Sequence, residues 1–317
     1  MQSVILLLSA ALLLQNVQSG EISVSNGSEP ICLVIRDPTG QSTFYKFPWN
    51  VALYFKQSDE LQSNSVVKKC GGTLIDEQRV ITSANCVVNS NGESINASEI
   101  EVRLGDHNEA ENFSTEQTQA VQQIIIHPKF DGNRHNIAFL VLNESVKINN
   151  FVNPICFGST SKDIHVGDQG LILGWSIKEY GAFPRKRVMS HVMVVNNSEC
   201  ADSGAISIES LDSNEVFCAR NLNVFDTCFK NTGDGVYFAS NGQYHLEGIA
   251  TLPKGGETER CETSEYLVFT NYIESFARSV FAVLDGNNAD TKSNRDRRAI
   301  TGPLPIPPPM PEHKLQD

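Results

Sequence analysis

The segment Asp226–Gly235 reads Asp-Thr-Cys-Phe-Lys-Asn-Thr-Gly-Asp-Gly and contains a hydroxyl group, on Thr232, that could act as a nucleophile. A threonine hydroxyl attacks a carbonyl carbon only when a base takes its proton. In the acyl-transfer arrangement built on a hydroxyl, a carboxylate orients that base. The chain is therefore an enzyme of this kind only if other segments bring a base and a carboxylate to Thr232.

Short strands predominate in the part of the chain that must position Thr232. From Phe47 onwards, apolar runs of a few residues alternate with turn residues, which predicts an all-β barrel or sandwich. The predicted strands are Val51–Phe55, Val80–Thr82, Glu101–Leu104, Val121–Ile126, Ile137–Leu142, Gly170–Leu173, Val188–Val195, Val216–Ala219, Gly235–Phe238, Leu246–Thr251 and Tyr266–Asn271. Tyr272–Leu284 is the exception, because its apolar residues recur at the three- and four-residue spacing of a helix face.

The two ends of the chain differ from this central part. Residues 1–20 have the short apolar core and the small-residue end of a cleaved signal peptide, so we expect a secreted, extracellular protein without a membrane span. Residues 21–46 are a polar leader that contains Cys32. Residues 285–317 are a proline-rich tail that is predicted to be disordered, which leaves residues 47–284 as the folded domain.

The tail carries a basic motif, Arg295-Asp296-Arg297-Arg298, of the form that furin-like convertases cleave. An accessible polar segment suits such cleavage, which would release Ala299–Asp317. The alternative interpretation is a solvated basic patch.

Composition limits the partners and the compartment. The net charge of −12 disfavours nucleic acid, heparin and anionic membranes as main partners. The eight cysteines of an exported chain predict a disulfide framework, although their number does not fix the pairing. Asn-x-Ser sequons, which are candidate glycosylation sites on surface loops, occur at Asn26, Asn96, Asn112, Asn143 and Asn196.

Several motifs follow one another in the order typical of one protein family. They are Phe47-Pro48-Trp49-Asn50-Val51, Cys70-Gly71-Gly72-Thr73-Leu74-Ile75, Val80-Ile81-Thr82-Ser83-Ala84-Asn85-Cys86, Val102-Arg103-Leu104-Gly105, Ile126-His127-Pro128, Asn136-Ile137-Ala138, Pro154-Ile155-Cys156, Gly174-Trp175 and the segment Asp226–Gly235. On these residues the chain, from about Phe47 to Leu284, resembles the trypsin/chymotrypsin-like serine proteases. The resemblance implies two packed six-stranded β-barrels, a C-terminal helix and a site in the cleft between the barrels.

The same resemblance implies a pairing for all eight cysteines. The expected disulfides are Cys70–Cys86, Cys200–Cys218, Cys228–Cys261 and Cys32–Cys156. The last of these would tie the leader to the end of the first barrel.

The resemblance also implies that the three catalytic positions are changed. Asn85 stands at the histidine of the family's Thr-Ala-Ala-His-Cys pattern, and Asn136 stands at the aspartate of its Asn-Asp-Ile-Ala pattern. Thr232 stands at the serine nucleophile. An amide cannot accept a proton near neutral pH, so the expected triad is degenerate and no catalytic residue is assigned.

No histidine is expected to replace the missing base. His135 neighbours Asn136, but neighbours on a strand point to opposite faces. His127 and His107 match ordinary surface or structural positions of the family, where histidines bonded within their loops are expected.

Further positions depart from the family pattern. Lys230 replaces a glycine whose N–H helps form the oxyanion hole, and a β-carbon restricts that backbone. Asn231 replaces the aspartate that pairs with the freed amino terminus, and no Ile-Val-Gly-Gly segment is present. Asp226 matches the pocket-floor position of trypsin-like members, but Leu267 replaces a wall glycine and Pro253 removes a donor from the substrate-binding edge.

Metal and cofactor sites are not predicted. The calcium loop of some relatives would fall near Asp106 and Glu116, but Phe113 takes the place of a further oxygen ligand. The cysteines are all assigned to disulfides, so no His/Cys cluster remains for a metal ion.

The leading hypothesis is a secreted, catalytically inactive serine protease homologue, most similar to those of arthropod haemolymph but without a preceding clip domain. It would bind extracellular proteases, zymogens or inhibitors as a cofactor or regulator of a proteolytic or immune cascade. One alternative is an active trypsin-like endopeptidase with a rearranged site. The other is a secreted binding or adhesive protein that uses only the surface of the scaffold.

Overall fold

The structure is a computed structural model that describes residues 47–56, 66–105, 116–155, 157, 163–175, 187–203, 215–222, 232–240, 243–251, 265–271, 276–282 and 284. The predicted signal peptide, leader and tail lie outside these ranges, and so do both cysteines of Cys228–Cys261 and of Cys32–Cys156. Those predictions therefore stay predictions.

The first six strands close into one antiparallel barrel. They are β1 (Asn50–Lys56), β2 (Val66–Leu74), β3 (Arg79–Thr82), β4 (Ile100–Leu104), β5 (Gln117–Ile126) and β6 (Ala138–Leu142). Their spatial order is β1-β2-β3-β6-β5-β4, and β1 pairs with β4 to close the ring. The sequence of β4 alternates as expected for a strand with one face in the barrel core. Ile100, Val102 and Leu104 are buried in that core, and Glu101 and Arg103 lie on the outer face of the barrel.

The next six strands close into a second antiparallel barrel. They are β7 (Gln169–Trp175), β8 (Arg187–Val195), β9 (Val216–Asn221), β10 (Gly235–Ser240), β11 (Gln243–Thr251) and β12 (Tyr266–Thr270). Their order is β10-β11-β12-β9-β8-β7, and β10 pairs with β7. The prediction of an all-β fold with two six-stranded barrels is confirmed.

Helices are short in the described residues. Ala84–Cys86 and Ala97–Glu99 are 3-10 turns, and Asn197–Asp202 forms α1. Residues 276–282 and 284 are helical and belong to the predicted C-terminal helix. Phe276, Ala277 and Val280 are buried against the core of the first barrel, so this helix covers the end of that barrel.

Eleven of the twelve strands correspond to predicted strands, with shifts of a few residues at their ends, and β2 was not predicted. Its sequence contains Lys68-Lys69 and Gly71-Gly72, which are poor strand formers. Gly71 is required by packing, because a β-carbon there would collide with the carboxylate of Asp234 from the second barrel. The contact with Asp234 therefore explains why β2 contains Gly71, a residue type that disfavours strands.

Buried polar contacts join the two barrels. The hydroxyls of Thr73 on β2 and Tyr237 on β10 are 2.8 Å apart and buried. Asn50 Nδ2 at the start of β1 donates to Asp234 Oδ1 at 3.3 Å, and Asp234 is 1% exposed. These contacts hold β1 and β2 against the segment that leads into β10, which is the segment that carries Thr232.

Two of the expected disulfides are present in the described residues. Cys70–Cys86 joins β2 to the Ala84–Cys86 turn, and Cys200–Cys218 joins α1 to β9. The first closes a segment with a sequence separation of 16 residues.

We expect loss of the Cys70–Cys86 disulfide to destabilise the fold. In the double variant Cys70→Ala/Cys86→Ala, the unfolded chain regains loop entropy, and the free energy of unfolding should fall by about 2–3 kcal/mol. Urea unfolding followed by tryptophan fluorescence measures this. A change below about 0.5 kcal/mol would show that the bond does not constrain the unfolded state, since that is the range of neutral surface substitutions.

Candidate functional site

Asn136 lies at the centre of the candidate site. It precedes β6 and is fully buried. Its Oδ1 accepts hydrogen bonds from Ser83 Oγ at 2.7 Å and from the backbone N–H of Asn85 at 2.9 Å. Because a backbone N–H can only donate, the atom that faces it must be the amide oxygen, and Nδ2 must face the other way.

The nitrogen of the same amide reaches the second barrel. Asn136 Nδ2 donates to Thr251 Oγ1 at the end of β11. Asn136 thus links the Ser83–Cys86 segment of the first barrel to β11 of the second. All three of its partners are neutral groups, and the amide supplies the oxygen and the N–H that this arrangement uses.

Asn85 lies beside Asn136 on the Ala84–Cys86 turn. The turn is fixed on one side by the backbone bond to Asn136 and on the other by the Cys70–Cys86 disulfide. The side chain of Asn85 is half-buried, and its carboxamide has no hydrogen-bond partner among the described residues.

Thr232 is held by its backbone between the two barrels. Its carbonyl oxygen accepts from the N–H of Gly71 on β2 at 3.0 Å and lies 3.6 Å from Cys86 Sγ. The next N–H, of Gly233, donates to the carbonyl of Ala250 on β11 at 2.9 Å. Thr232 thus approaches Cys86, the neighbour of Asn85, and Asn85 bonds to Asn136, so the structure brings the three predicted site positions together.

Gly233, which follows Thr232, has a backbone conformation that determines where Thr232 lies. Its φ angle is 89°, a conformation that favours glycine. A β-carbon at this position would collide with the Thr82 hydroxyl and would lie 2.5 Å from the carbonyl oxygen of Gly71. Glycine is therefore required for the close approach that positions Thr232.

The side chains at the three predicted site positions are neutral and polar. The Thr232 side chain is half-buried, and within the described ranges its hydroxyl donates to no base. The carboxamides of Asn85 and Asn136 accept hydrogen bonds but do not take a proton near neutral pH. Neither carboxamide can therefore act as the base that a hydroxyl nucleophile needs.

Neither described histidine of the neighbouring loop supplies the base. His135 Nε2 lies 3.2 Å from Glu215 Oε1, and His127 Nδ1 accepts from the backbone N–H of Lys129 at 3.2 Å. Burial, and to a lesser extent His135 and Lys129, lower the pKa of His127 to about 4. The expectation for His127, a histidine bonded within its own loop, agrees with this contact.

The argument from strand alternation was wrong for His135. His135 and Asn136 precede β6, and His135 has a positive φ of 51° in the loop after β5. The ring is held by Glu215 at the start of β9, not by the pleat of a strand. His107 lies outside the described residues.

The other predicted positions are described only in part. Leu267 lies on β12, is partly buried and packs against the core of the second barrel. Asp226, Lys230, Asn231 and Pro253 lie outside the described residues, so the pocket floor, oxyanion and activation predictions stay predictions.

The charged residues next to the predicted calcium loop form their own contacts. Arg103 Nε lies 2.7 Å from Glu101 Oε1 and 3.9 Å from Glu116 Oε1, and its guanidinium stacks 4.0 Å from the ring centre of Tyr54. Glu116 therefore faces a guanidinium. Asp106 and Phe113 lie outside the described residues, and no group of three or more metal-ligating side chains occurs within them.

Three of the five sequons lie in the described part of the chain. Asn96, Asn143 and Asn196 are exposed, as glycosylation would require. Asn96 Oδ1 accepts from the N–H and hydroxyl of Ser98, which leaves its Nδ2 free to be modified. Asn26 and Asn112 lie outside the described residues.

Ser83 and Thr251 are the site residues that the sequence reasoning missed. Ser83 stands where the family pattern has alanine, and its added hydroxyl next to a changed catalytic position was the available signal. Thr251 enters the sequence analysis only as the last residue of a predicted strand, although its hydroxyl accepts from Asn136. Its separation of 115 residues from Asn136 hides this contact in the sequence.

We expect Asn136→Leu to destabilise the fold although leucine is similar in size. The Ser83 hydroxyl, the Asn85 N–H and the Thr251 hydroxyl would all lose their common partner, at a cost of about 2–3 kcal/mol. Chemical denaturation measures the loss. Asn136→Asp is the matched variant, because rotation of the Thr251 hydroxyl would keep all three contacts, and it should cost less than Asn136→Leu.

Comparison with known proteins shows which family the sequence of this chain matches. A family model described as Trypsin matches residues 39–279. The chain is 27% identical over 224 residues to phenoloxidase-activating factor 1 of Holotrichia diomphalia, a match that covers 65% of this chain and 60% of that protein. It is 29% identical over 265 residues to serine protease gd of Drosophila melanogaster, covering 73% of this chain and 48% of that protein.

The chain is also similar to a vertebrate protein. The chain is 29% identical over 197 residues to chymotrypsin-like elastase family member 1 of Rattus norvegicus, which covers 61% of this chain and 71% of that protein. The chain thus spans only about half to two thirds of the length of the two arthropod relatives. Among the described residues, no helix has the length and apolar character needed to cross a membrane.

Proposed function

The chain belongs to the trypsin family of serine proteases, and we propose that within this family it is a secreted, catalytically inactive homologue that acts by binding other proteins. The observation that carries the proposal is the hydrogen bonding of Asn136. A buried amide that accepts from Ser83 and Asn85 and donates to Thr251 takes the place of the charged group that acyl transfer requires.

The unpaired polar groups next to Asn136 support binding without turnover. The Asn85 carboxamide and the Thr232 hydroxyl are half-buried and have no partner among the described residues. They can donate to or accept from a bound segment of another protein. Without a base, the bound segment would not be cut.

We infer a proteolytic cascade as the setting, which the name of one relative supports. Phenoloxidase-activating factor 1 is named for the activation of another enzyme, and serine protease gd is named as a protease. We therefore propose that the partners of this chain are proteases, zymogens or their inhibitors, and that it serves as a cofactor or regulator. The signal peptide and the sequons predicted from the sequence support secretion of a glycosylated chain.

The test combines a reactive probe with a capture experiment. A fluorophosphonate probe, which labels activated serine and threonine hydroxyls, should not modify Thr232 of the native chain. The immobilised full chain should retain a protease, a zymogen or a protease inhibitor from the fluid into which it is secreted, as identified by mass spectrometry. The urea-unfolded chain, immobilised in the same way, is the control.

Two outcomes would count against the proposal. Stoichiometric labelling of Thr232 would show an activated nucleophile and an enzyme. Capture of the same proteins by the native and unfolded chains would show that the folded surface has no specific partner of this class.

A further inference from the structure

A cluster of titratable groups lies outside the candidate site, where the loop between β5 and β6 meets the second barrel. The imidazole rings of His127 and His135 stack at 4.6 Å with an angle of 9° between their planes. His135 Nε2 faces Glu215 Oε1 at 3.2 Å, and Glu215 lies immediately before β9. These three residues therefore connect a loop of the first barrel to a strand of the second.

His127 occupies the inner position of the stack. It is 9% exposed, and its ring centre lies 4.6 Å from that of Phe276 in the C-terminal helix. Its Nδ1 is occupied as an acceptor by the backbone N–H of Lys129. The ring is thus enclosed by an aromatic side chain, a second imidazole and a donor that fits only its neutral form.

Protonation of His127 would be incompatible with this packing. A proton on Nδ1 would face the Lys129 N–H, so that two donors would point at each other at 3.2 Å. The new charge would lie in a desolvated position beside His135 and near the ammonium of Lys129. The ring therefore takes up a proton at higher pH when it leaves the stack than when it stays in it.

Other features of the cluster favour separation of the loop. His135 has a φ of 51°, which is an unfavourable backbone conformation for a residue other than glycine. Glu215 Oε2 is buried and accepts no hydrogen bond from the described residues. Opening the loop would relieve the unfavourable backbone conformation of His135 and would expose Glu215 Oε2 to water. Both changes lower the free-energy cost of releasing the loop.

The loop also contains a charged pair outside the stack. Arg134 and Asp131 form an exposed pair with each other at 2.9 Å. The described part of the C-terminal helix presents Phe276 to His127. Glu215 is the carboxylate that contacts the stack from the second barrel, and it contacts His135.

We propose that His127, His135 and Glu215 form an acid-operated latch that closes the 127–136 loop onto the second barrel at neutral pH and releases it when His127 is protonated. The loop runs directly into Asn136, which bonds both barrels, and Ile137 N–H donates to the carbonyl of His135 at 2.8 Å. Release of the loop therefore loosens the candidate site. This inference does not depend on whether the chain is an enzyme.

The direction of the pH dependence follows from the pKa of His127. Its pKa is about 4 in the closed loop, against 6.5 for an ordinary histidine in the open loop. The open form therefore binds more protons, and opening becomes easier as the pH falls from about 6.5 towards about 4. A metal ion does not explain the cluster, because lone pairs lie in the ring planes and parallel rings cannot point both at one ion.

Hydrogen exchange of the full chain at pH 7 and pH 5 tests the latch, with rates corrected for the intrinsic effect of pH. We expect peptides that cover residues 127–137 to exchange at least about 10-fold more readily at pH 5. Peptides from β7 and β8 should not change. In His127→Phe, which fills the pocket without a titratable group, the difference between the two pH values should disappear.

Two further variants keep the test decisive. His165→Gln is the matched control, because the His165 side chain is 74% exposed and its loss should leave the pH response intact. Glu215→Ala removes the acceptor that holds His135, so its loop should already exchange at pH 7 as the wild-type loop does at pH 5. The proposal is overturned if the response persists in His127→Phe, spreads evenly over the chain, or is unaffected in Glu215→Ala.

Discussion

Neither the wild-type chain nor its Thr232→Ser variant should hydrolyse peptide esters or amides measurably. The site lacks a described base, and the Asn136 amide bonds to neutral groups on every side. Loss of the base alone removes about 10⁶-fold in kcat from enzymes of this mechanism, because the nucleophile and its base act as a unit. A more nucleophilic hydroxyl at position 232 cannot compensate for a missing proton acceptor.

The measurement is a continuous ester-hydrolysis assay on the two proteins together with Thr232→Ala. Activity that persists in Thr232→Ala belongs to a contaminant, because that variant has no hydroxyl at the site. Turnover by Thr232→Ser that Thr232→Ala lacks would contradict the prediction and would reveal a base elsewhere. His135→Gln in the Thr232→Ser background would then identify or exclude the histidine beside Asn136.

The barrels could be predicted from the sequence because their strands alternate simply and their motifs occur in a fixed order. In β4 the buried and exposed residues follow the two-residue period of a strand, as the sequence indicates. In β1 both faces of the strand are buried, so buried and exposed residues do not alternate. Val51 and Leu53 face the barrel core, and Ala52 and Tyr54 are covered on the other side. β2 could not be predicted, because its Gly71 is fixed by a contact with Asp234 from the other barrel.

The residue types of the candidate site could be predicted, but their partners could not. Asn85, Asn136 and Thr232 stand out in the sequence as polar residues at changed positions, and the structure brings them together. The hydrogen bond to Thr251 joins residues 115 positions apart and depends on how the barrels pack. The stacking of His127 on His135 and the contact with Glu215 depend on a loop conformation with a positive φ, which no local pattern indicated.

The barrel junction beside the site should be the most sensitive part of the core, and Trp49→Ala tests it. Trp49 is 1% exposed, and its ring lies 5.8 Å from Phe47, 5.6 Å from Tyr237 and 6.1 Å from Tyr244. The last two belong to β10 and β11, so the indole fills space between the barrels. Truncation to alanine should lower the free energy of unfolding by about 3–5 kcal/mol.

Trp49→Phe separates the volume of this side chain from its polar atom. The indole Nε1–H is buried without a hydrogen-bond partner among the described residues, which is unfavourable by about 1–3 kcal/mol. Phenylalanine removes that donor as well as part of the ring, so the two effects offset each other and Trp49→Phe should cost about 1 kcal/mol or less. Denaturant unfolding followed by circular dichroism measures both variants, with Val166→Ala, at a residue that is 59% exposed, as the surface control. Equal losses in Trp49→Ala and Trp49→Phe would mean that the indole N–H is satisfied after all, and a loss below about 1 kcal/mol in Trp49→Ala would mean that the barrels do not depend on this contact.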